Sequence, residues 1–412
     1  MRLIAISSRS LAWAVPVLAE AAALGRSIAL AWVIGPDELG RAMMLALTVR
    51  LVEMATDLGI ERLMVQAPDG NAARFQSELQ GAAILRGVIC ATILLGFAPL
   101  LAAVFSDGPS AAAYGFLAII PLIRGFGHLD YRRLERQFRY MKMSIVEGGA
   151  TVTMAICVVP FAWLFTDHRA MGVILVAHAV SYTTLSHLVA DRKYKTALSL
   201  ATLRRSWTFG APLLLNAGLL FLTFYADRFV VAQAYGWSSL ALYGVALQLA
   251  LLPAQIVGRA AASLVLPELR LALANNDLER VWSRCLNTHI VLASVMVVGF
   301  ATLAPTVISL VYGDAFQPEV ALATALAIAA GFRILRTPFS QLAVATGRTG
   351  DPARANLIRA LALVPAAAFA VAGLPLAAIA AAAAIGEAGA TFRAFQLSST
   401  VFVCNDRKGA FA

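Results

Sequence analysis

Residues 80–105 read QGAAILRGVICATILLGFAPLLAAVF, an apolar run in which Arg86 is the only charged side chain. A helix needs about 20 mainly apolar residues to cross the hydrocarbon of a bilayer, and it satisfies its own backbone hydrogen bonds there. The length of this run and its richness in Ala and Leu predict a transmembrane helix rather than a strand.

Apolar runs of this kind recur along the whole 412-residue chain. The predicted spans are residues 10–34, 41–65, 80–105, 111–129, 144–165, 170–189, 207–234, 241–266, 281–311, 320–345, 355–371 and 376–403. The composition agrees, because 14% of the residues are charged whereas soluble domains average about 25%. The sequence predicts an all-α polytopic membrane protein with about twelve transmembrane helices.

Basic residues crowd into alternate loops between these spans. With the N-terminal tail as loop zero, the odd-numbered loops carry only Arg41 and Arg169, whereas the even-numbered loops and tails carry most other cations, among them Arg2, Arg9, Arg62, Arg132, Arg133, Arg136, Lys193, Lys195, Arg204, Arg205, Arg280, Arg407 and Lys408. Loops rich in Lys and Arg stay in the cytoplasm. We therefore expect a multi-pass membrane protein with both termini cytoplasmic. The net charge of +10 is assigned to these loops and to lipid headgroups, not to nucleic acid.

The two halves of the chain resemble each other. The turn at residues 34–40 closes the first span, and a turn at residues 235–244 does the same for the seventh span, about 201 residues later. Six helices in each half give a parallel repeat, an arrangement in which transporters place the substrate path between the halves. We predict an N-terminal lobe at 1–190, a cytoplasmic linker at 191–205 and a C-terminal lobe at 206–412.

Ionisable residues within the spans mark candidate functional positions. Each costs about 2.5–3.5 kcal/mol on insertion scales, so such groups usually face a cavity or a partner. The predicted cavity cations are Arg26, Arg50, Arg228, Arg259 and Arg333, and the predicted coupling or ion-pair acids are Glu53, Asp57, Asp227 and Glu387. The surplus of guanidinium groups favours a phosphate-bearing cargo, because their planar fork donates two parallel hydrogen bonds.

Spacing along the helices also predicts individual contacts. Arg50 and Glu53 are one turn apart and are expected to pair. Glu387 either carries a proton or pairs with Arg393, and the pair is favoured. Arg86, Arg124 and Arg359 lie towards the cytoplasmic side, where long basic side chains extend to headgroups.

Several chemistries find no support in the sequence. Cys90, Cys157, Cys285 and Cys404 stand singly, so neither a disulfide framework nor a zinc site is predicted. No phosphate-binding loop of the type G-x-x-x-x-G-K-[ST] is present, and no nucleophile and base form a catalytic constellation. We expect no metal, no cofactor and no enzymatic activity.

Short motifs in a fixed order resemble those of a known family. They are Gly35-Pro36-Asp37-Glu38-Leu39-Gly40, Asp57-Leu58-Gly59-Ile60, Asp227-Arg228-Phe229, Leu242-Tyr243-Gly244 and Val311-Tyr312-Gly313-Asp314-Ala315-Phe316. Together they resemble the bacterial O-antigen and exopolysaccharide flippases of the multidrug/oligosaccharidyl-lipid/polysaccharide exporter superfamily. The resemblance extends over essentially the whole chain.

The resemblance implies two six-helix lobes around a central cavity. It also implies a cargo, an undecaprenyl-diphosphate-linked oligosaccharide that is moved to the outer leaflet by alternating access. Glycosyltransferases and a polymerase of the same pathway are the implied protein partners. Three alternatives stay open: a multidrug and toxin extrusion antiporter, a lipid II flippase, and a membrane-bound polysaccharide polymerase or ligase. Because Arg26 and Arg228 occupy corresponding spans, we expect them to face one diphosphate.

The charge alternation generates a topology prediction. In a background without the native cysteines, single cysteines at Asp107 and Asp314 are expected to react with an impermeant thiol reagent added outside the cell. Cysteines at Lys193 and Asp277 are expected to react only after the membrane is opened, because Lys/Arg-rich loops stay inside. A reversed pair of sites would show that the number of spans between them is wrong.

Overall fold

The computed structural model describes the backbone of residues 2–275 and 277–409 and the side chains of residues 15–275 and 277–399. The tail cations Arg2, Arg9, Arg407 and Lys408 lie outside the described side chains. The α-helices are α1 Arg2–Ala55, α2 Ile60–Gln66, α3 Ala73–Val104, α4 Ala111–Phe116, α5 Ile119–Gly125, α6 Asp130–Arg136, α7 Met141–Phe165, α8 Arg169–Leu188, α9 Leu200–Phe224, α10 Ala226–Tyr235, α11 Trp237–Ala274, α12 Leu278–Tyr312, α13 Val320–Ala345, α14 Asp351–Leu361, α15 Leu363–Val371 and α16 Leu376–Gly409.

The described residues contain ten helical segments long and apolar enough to cross a membrane. A bent pair, Ala111–Gly125 with Asp130–Arg136, makes an eleventh if it counts as one span. The first segment, Val15–Ala55, has 41 residues and therefore extends about 60 Å, twice the hydrocarbon thickness. It is broken at Gly35, so it supplies two spans. The predicted all-α polytopic fold, with about twelve spans, is confirmed.

The turn glycines of the two halves share one unusual conformation. Gly35 has φ/ψ of 73/177°, and Gly236 has 81/−177°. This region of backbone space is essentially restricted to glycine. Each glycine therefore forms the junction between two helical segments in its half of the chain. The likeness supports the predicted repeat.

The second span ends ten residues earlier than predicted, at Ala55 rather than at residue 65. The backbone N–H of Gly59 donates to the carboxylate of Asp57 (3.0 Å), and Gly59 adopts φ 64° before α2 begins. A Cβ on Gly210 of α9 would lie 2.5 Å from the backbone of Leu58. The Asp57-Leu58-Gly59 motif is thus a turn that α9 approaches closely.

Contacts divide the chain into two compact units, Met1–Phe221 and Leu222–Ala412. Helix α9 packs with this N-terminal unit, whereas the sequence placed it in the second lobe. The predicted linker is fixed to α3, because the Gln80 side chain donates to the carbonyl of Lys195 (2.7 Å) and the Ala197 N–H donates to that of Ser77 (3.0 Å). The lobe boundaries stay a prediction.

Both arginines of the loops predicted to be external pair with neighbouring acids. Arg41 pairs with Asp37 and Glu38, and Arg169 pairs with Asp167. The second oxygen of Glu38 accepts hydrogen bonds from the backbone N–H (2.8 Å) and the Nδ1 atom (2.7 Å) of His168. Arg41 also donates to the carbonyl of Asp107 (3.2 Å). These contacts join three loops of the N-terminal unit, and we call them the external clasp after the predicted side of the membrane.

The clasp generates a prediction about local stability. Glu38→Ala removes a charged acceptor, an interaction of about 1.5–3 kcal/mol, so amide hydrogen exchange at residues 166–169 is expected to rise about tenfold. Asp167→Asn breaks only the local pair with Arg169 and should leave exchange at residues 35–41 unchanged. Equal exchange in wild type and Glu38→Ala would show that the clasp does not hold the loops.

Candidate functional site

A cavity of about 590 Å³ lies within the N-terminal unit. Its walls come from the end of α1, the turn that follows, and helices α2, α3, α5, α6, α8 and α9. The side chains from α9 that line it are Leu213, Asn216, Ala217 and Leu220. The break at Ala55 makes this space possible, because it ends the membrane helix and turns the chain aside into α2.

Charged side chains line much of the cavity. They are Arg50, Glu53, Asp57, Glu61, Arg62, Arg86, Arg124, Arg132 and Glu135. Five of these nine are basic, so the lining carries a small positive excess. Three of the predicted site residues, Arg50, Glu53 and Asp57, therefore lie together in one cavity.

The predicted pairing of Arg50 with Glu53 is wrong. Glu53 pairs instead with Arg124 of α5, at 2.8 Å. Arg86 donates to the carbonyls of Glu53 and Thr56 (both 2.9 Å), which belong to the end of α1. The last carbonyls of a helix lack partners within the helix, and a cation there is favourable. Arg86 and Arg124 thus line the cavity rather than extending to headgroups.

Arg132 is the centre of an ionic network at the α6 side of the cavity. It pairs with Glu61 (2.6 Å), Glu135 (2.8 Å) and Glu147 (2.5 Å). The hydroxyl of Tyr182 also donates to Glu61 (3.2 Å). Each of the three guanidinium nitrogens therefore has a carboxylate partner, and Arg132 has a structural role.

Two cations of the cavity have weaker polar contacts than the others. Arg62 lies 3.8 Å from Asp57, beyond hydrogen-bond distance. Arg50 is exposed, and within the described part of the chain its guanidinium makes no hydrogen bond and no ion pair. Arg50 is thus the lining cation that is available to bind a ligand.

The C-terminal unit holds a second group of charges near the middle of its spans. Glu387 of α16 is only 2% exposed and pairs with Arg336 of α13 (3.2 Å) and Arg359 of α14 (2.8 Å). The predicted pair of Glu387 with Arg393 is wrong, because Arg393 donates to Gln396. Arg359 is held inside the unit, not at headgroups.

Phe224, at the end of α9, contacts the neighbouring guanidinium groups. The Cζ atoms of Arg333 and Arg359 lie 4.6 and 4.1 Å from its ring centroid. Arg228 donates to the Phe224 carbonyl (3.1 Å). A cation–π contact contributes about 0.5–2 kcal/mol, less than the several kcal/mol that burying an ion costs. We call Phe224, Arg333, Arg336, Arg359 and Glu387 the arginine cluster.

The remaining predicted residues have local contacts. Arg26 donates to the Met154 sulfur (3.2 Å), and Arg259 is half-buried on α11. Asp227 accepts hydrogen bonds from the backbone N–H of Arg228 (2.9 Å) and from the hydroxyl of Tyr243 (2.7 Å). Arg26 belongs to the N-terminal unit and Arg228 to the C-terminal unit, so their shared ligand stays a prediction.

Sequence reasoning missed part of both groups. Glu61, Arg132 and Tyr182 line the cavity. The sequence placed Glu61 near the end of the second span and Arg132 in the loop after the fourth, and Tyr182 is uncharged. Arg336 was not predicted as the partner of Glu387. The available signal was the excess of arginine over acid within the spans of each half.

Comparison with known proteins identifies the family. Residues 29–321 match the family described as "Polysaccharide biosynthesis protein". The chain belongs to this polysaccharide biosynthesis family. The resemblance seen in the sequence motifs is thereby confirmed. No functionally curated protein matches the chain in sequence.

Solved structures show which fold this family member shares. An inward closed structure of the lipid II flippase MurJ superposes with a TM-score of 0.74 at 16% identity and covers 95% of this chain and 87% of its own. An inward-facing multidrug resistance MATE transporter of the MOP superfamily gives 0.67 at 13% identity, covering 94% and 95%. A eukaryotic MATE transporter, AtDTX14, gives 0.58 at 14% identity, covering 98% of each chain. At these identities the likeness shows the fold.

The cavity generates a prediction about its ion pair. Glu53→Gln and Arg124→Gln each leave one charge without its partner, so each is expected to lower the thermal unfolding midpoint in detergent. The double variant removes both charges and is expected to unfold at a higher temperature than the sum of the single effects implies. Strict additivity would show that the two side chains do not interact.

Proposed function

We propose that this protein is a flippase that moves a lipid-linked oligosaccharide from the inner to the outer leaflet by alternating access. The proposed cargo is carried on undecaprenyl diphosphate and serves O-antigen or exopolysaccharide synthesis. The proposed location is the bacterial inner membrane with both termini in the cytoplasm. The protein would act as a transporter and not as an enzyme, beside the glycosyltransferases and polymerase of its pathway.

One observation carries the proposal. A member of the polysaccharide biosynthesis family holds, within its membrane-spanning N-terminal unit, a polar cavity in which the Arg50 guanidinium is exposed. Intramembrane charges are expensive and usually serve a transported ligand or a structural pair. The structural pairs use Arg86, Arg124 and Arg132, so Arg50 is left for an anionic group of the cargo.

The excess of arginine over acid in the cavity also favours a lipid flippase over a multidrug antiporter. Exporters of organic cations need acidic groups at the site, because an unlike charge is what stabilises a buried cation. In this cavity Glu53 and Glu61 already pair with arginines. An anionic cargo suits the remaining groups better. A lipid diphosphate is such a cargo, and the lipid II flippase likeness is compatible with it.

The test is Arg50→Ala in cells that depend on this protein. A charge-assisted contact contributes about 1.5–3 kcal/mol, so cargo capture should fall tenfold or more, and surface polysaccharide should fall with it while the protein still accumulates in the membrane. Arg50→Lys should restore part of the output, because it keeps the charge without the fork. Flipping of a fluorescent lipid-linked oligosaccharide in proteoliposomes is the direct measurement.

Arg74→Ala is the matched control, since Arg74 is an exposed cation whose one ion pair among the described residues is with Glu78 of the same helix. Arg26→Ala and Arg228→Ala test the two cations predicted from the sequence by the same assay. Normal flipping by Arg50→Ala would contradict the cargo role of Arg50. Polysaccharide of altered length with an unchanged leaflet distribution would indicate a polymerase instead.

A further inference from the structure

In the arginine cluster, some guanidinium donors have acceptors and others have none among the described residues. Arg336 donates to Asn356 (3.0 Å) through NH1 and faces Glu387 through NH2. Arg359 faces Glu387 through Nε, and Arg333 has no ion pair in the described part of the chain. The NH1 atoms of Arg333 and Arg359 are buried and have no hydrogen-bond partner among the described residues.

The charges of this region do not cancel. Three guanidinium groups of the cluster face one carboxylate, Glu387. Another acid of this unit, Asp227, accepts hydrogen bonds from the Tyr243 hydroxyl and from the backbone N–H of Arg228. The Arg228 guanidinium itself donates to the Phe224 carbonyl. Buried charges are normally paired, and buried donors normally have acceptors. Oε2 of Glu387 also lacks a hydrogen bond among the described residues, but this one carboxylate cannot balance three guanidinium groups. An anion beside Arg333 and Arg359 would supply both the missing charge and the missing acceptors.

We propose that Arg333 and Arg359 bind a phosphate group within the C-terminal unit, at a site whose residues are all distinct from those of the N-terminal cavity. Both guanidinium groups lie against the Phe224 ring, which orients them and keeps water from their faces. A guanidinium stays ionised when buried, and its fork matches the oxygens of a phosphate. Arg336 and Glu387 hold Arg359 in place and are positioning residues.

The phosphate comes either from free inorganic phosphate or from the diphosphate of a polyprenyl lipid. Only binding of the polyprenyl diphosphate rests on the proposed function. The site itself is tested by isothermal titration of the purified full-length protein with inorganic phosphate at constant ionic strength, with gluconate as the reference anion. Wild type is expected to bind one phosphate. Arg333→Gln and Arg359→Gln are each expected to weaken binding tenfold or more.

Arg393→Gln is the control, because it removes the same charge from the same unit outside the cluster. Arg333→Lys and Arg359→Lys keep the charge, and they are expected to bind with intermediate affinity even if the Gln variants fail to fold. A second titration uses undecaprenyl diphosphate. Binding of this lipid but not of inorganic phosphate, with the same dependence on Arg333 and Arg359, supports the site and assigns it to the cargo.

Two outcomes overturn the proposal: no binding of either probe to wild type, or binding that Arg333→Lys and Arg359→Lys leave as strong as in wild type. Flipping in proteoliposomes is measured separately with the same preparations. A protein that flips lipid-linked oligosaccharide but binds no phosphate at these arginines would refute the site and leave the proposed function intact.

Discussion

The cost of holding an ionised group away from water governs this structure. Each intramembrane arginine must find an acid, a carbonyl, an aromatic ring or a ligand, and the helices are broken where these partners are needed. The end of α1 shows the connection. Its last carbonyls have no partner within the helix, and Arg86 binds two of them. The same break opens the cavity, so the charge that stabilises the helix end also lines the candidate site.

The two units use arginine in two ways. Arg132 and Arg336 have all or most of their donors occupied, and they fix neighbouring elements to one another. Arg50, Arg333 and Arg359 keep donors without acceptors among the described residues. All five are arginines, so what separates the two groups is whether their hydrogen-bond donors have acceptors. Ligand binding is expected at the arginines whose donors lack acceptors.

The sequence predicted the helices well and the breaks poorly. Span length and apolar content are local properties, so the number of spans followed from them. The end of the second span at Ala55 depends on Asp57 accepting from Gly59 and on the approach of α9, a contact between distant parts of the chain. The same reason explains the wrong ion pairs: helical spacing suggested Arg50 for Glu53, but Arg124 comes from another helix.

The motifs that resemble the family shape the junctions between helices, whereas the intramembrane charges determine what the protein can bind. Gly35, Gly59, Gly236 and Gly313 all have positive φ, and they form corners between helices. Glu38 of the first motif binds His168 at the external clasp, outside the cavity. Relatives with different cargoes can therefore share these motifs, since corners and clasps are needed whatever is carried. The cargo is expected to depend more on side chains outside these corners, such as Arg50 in the cavity.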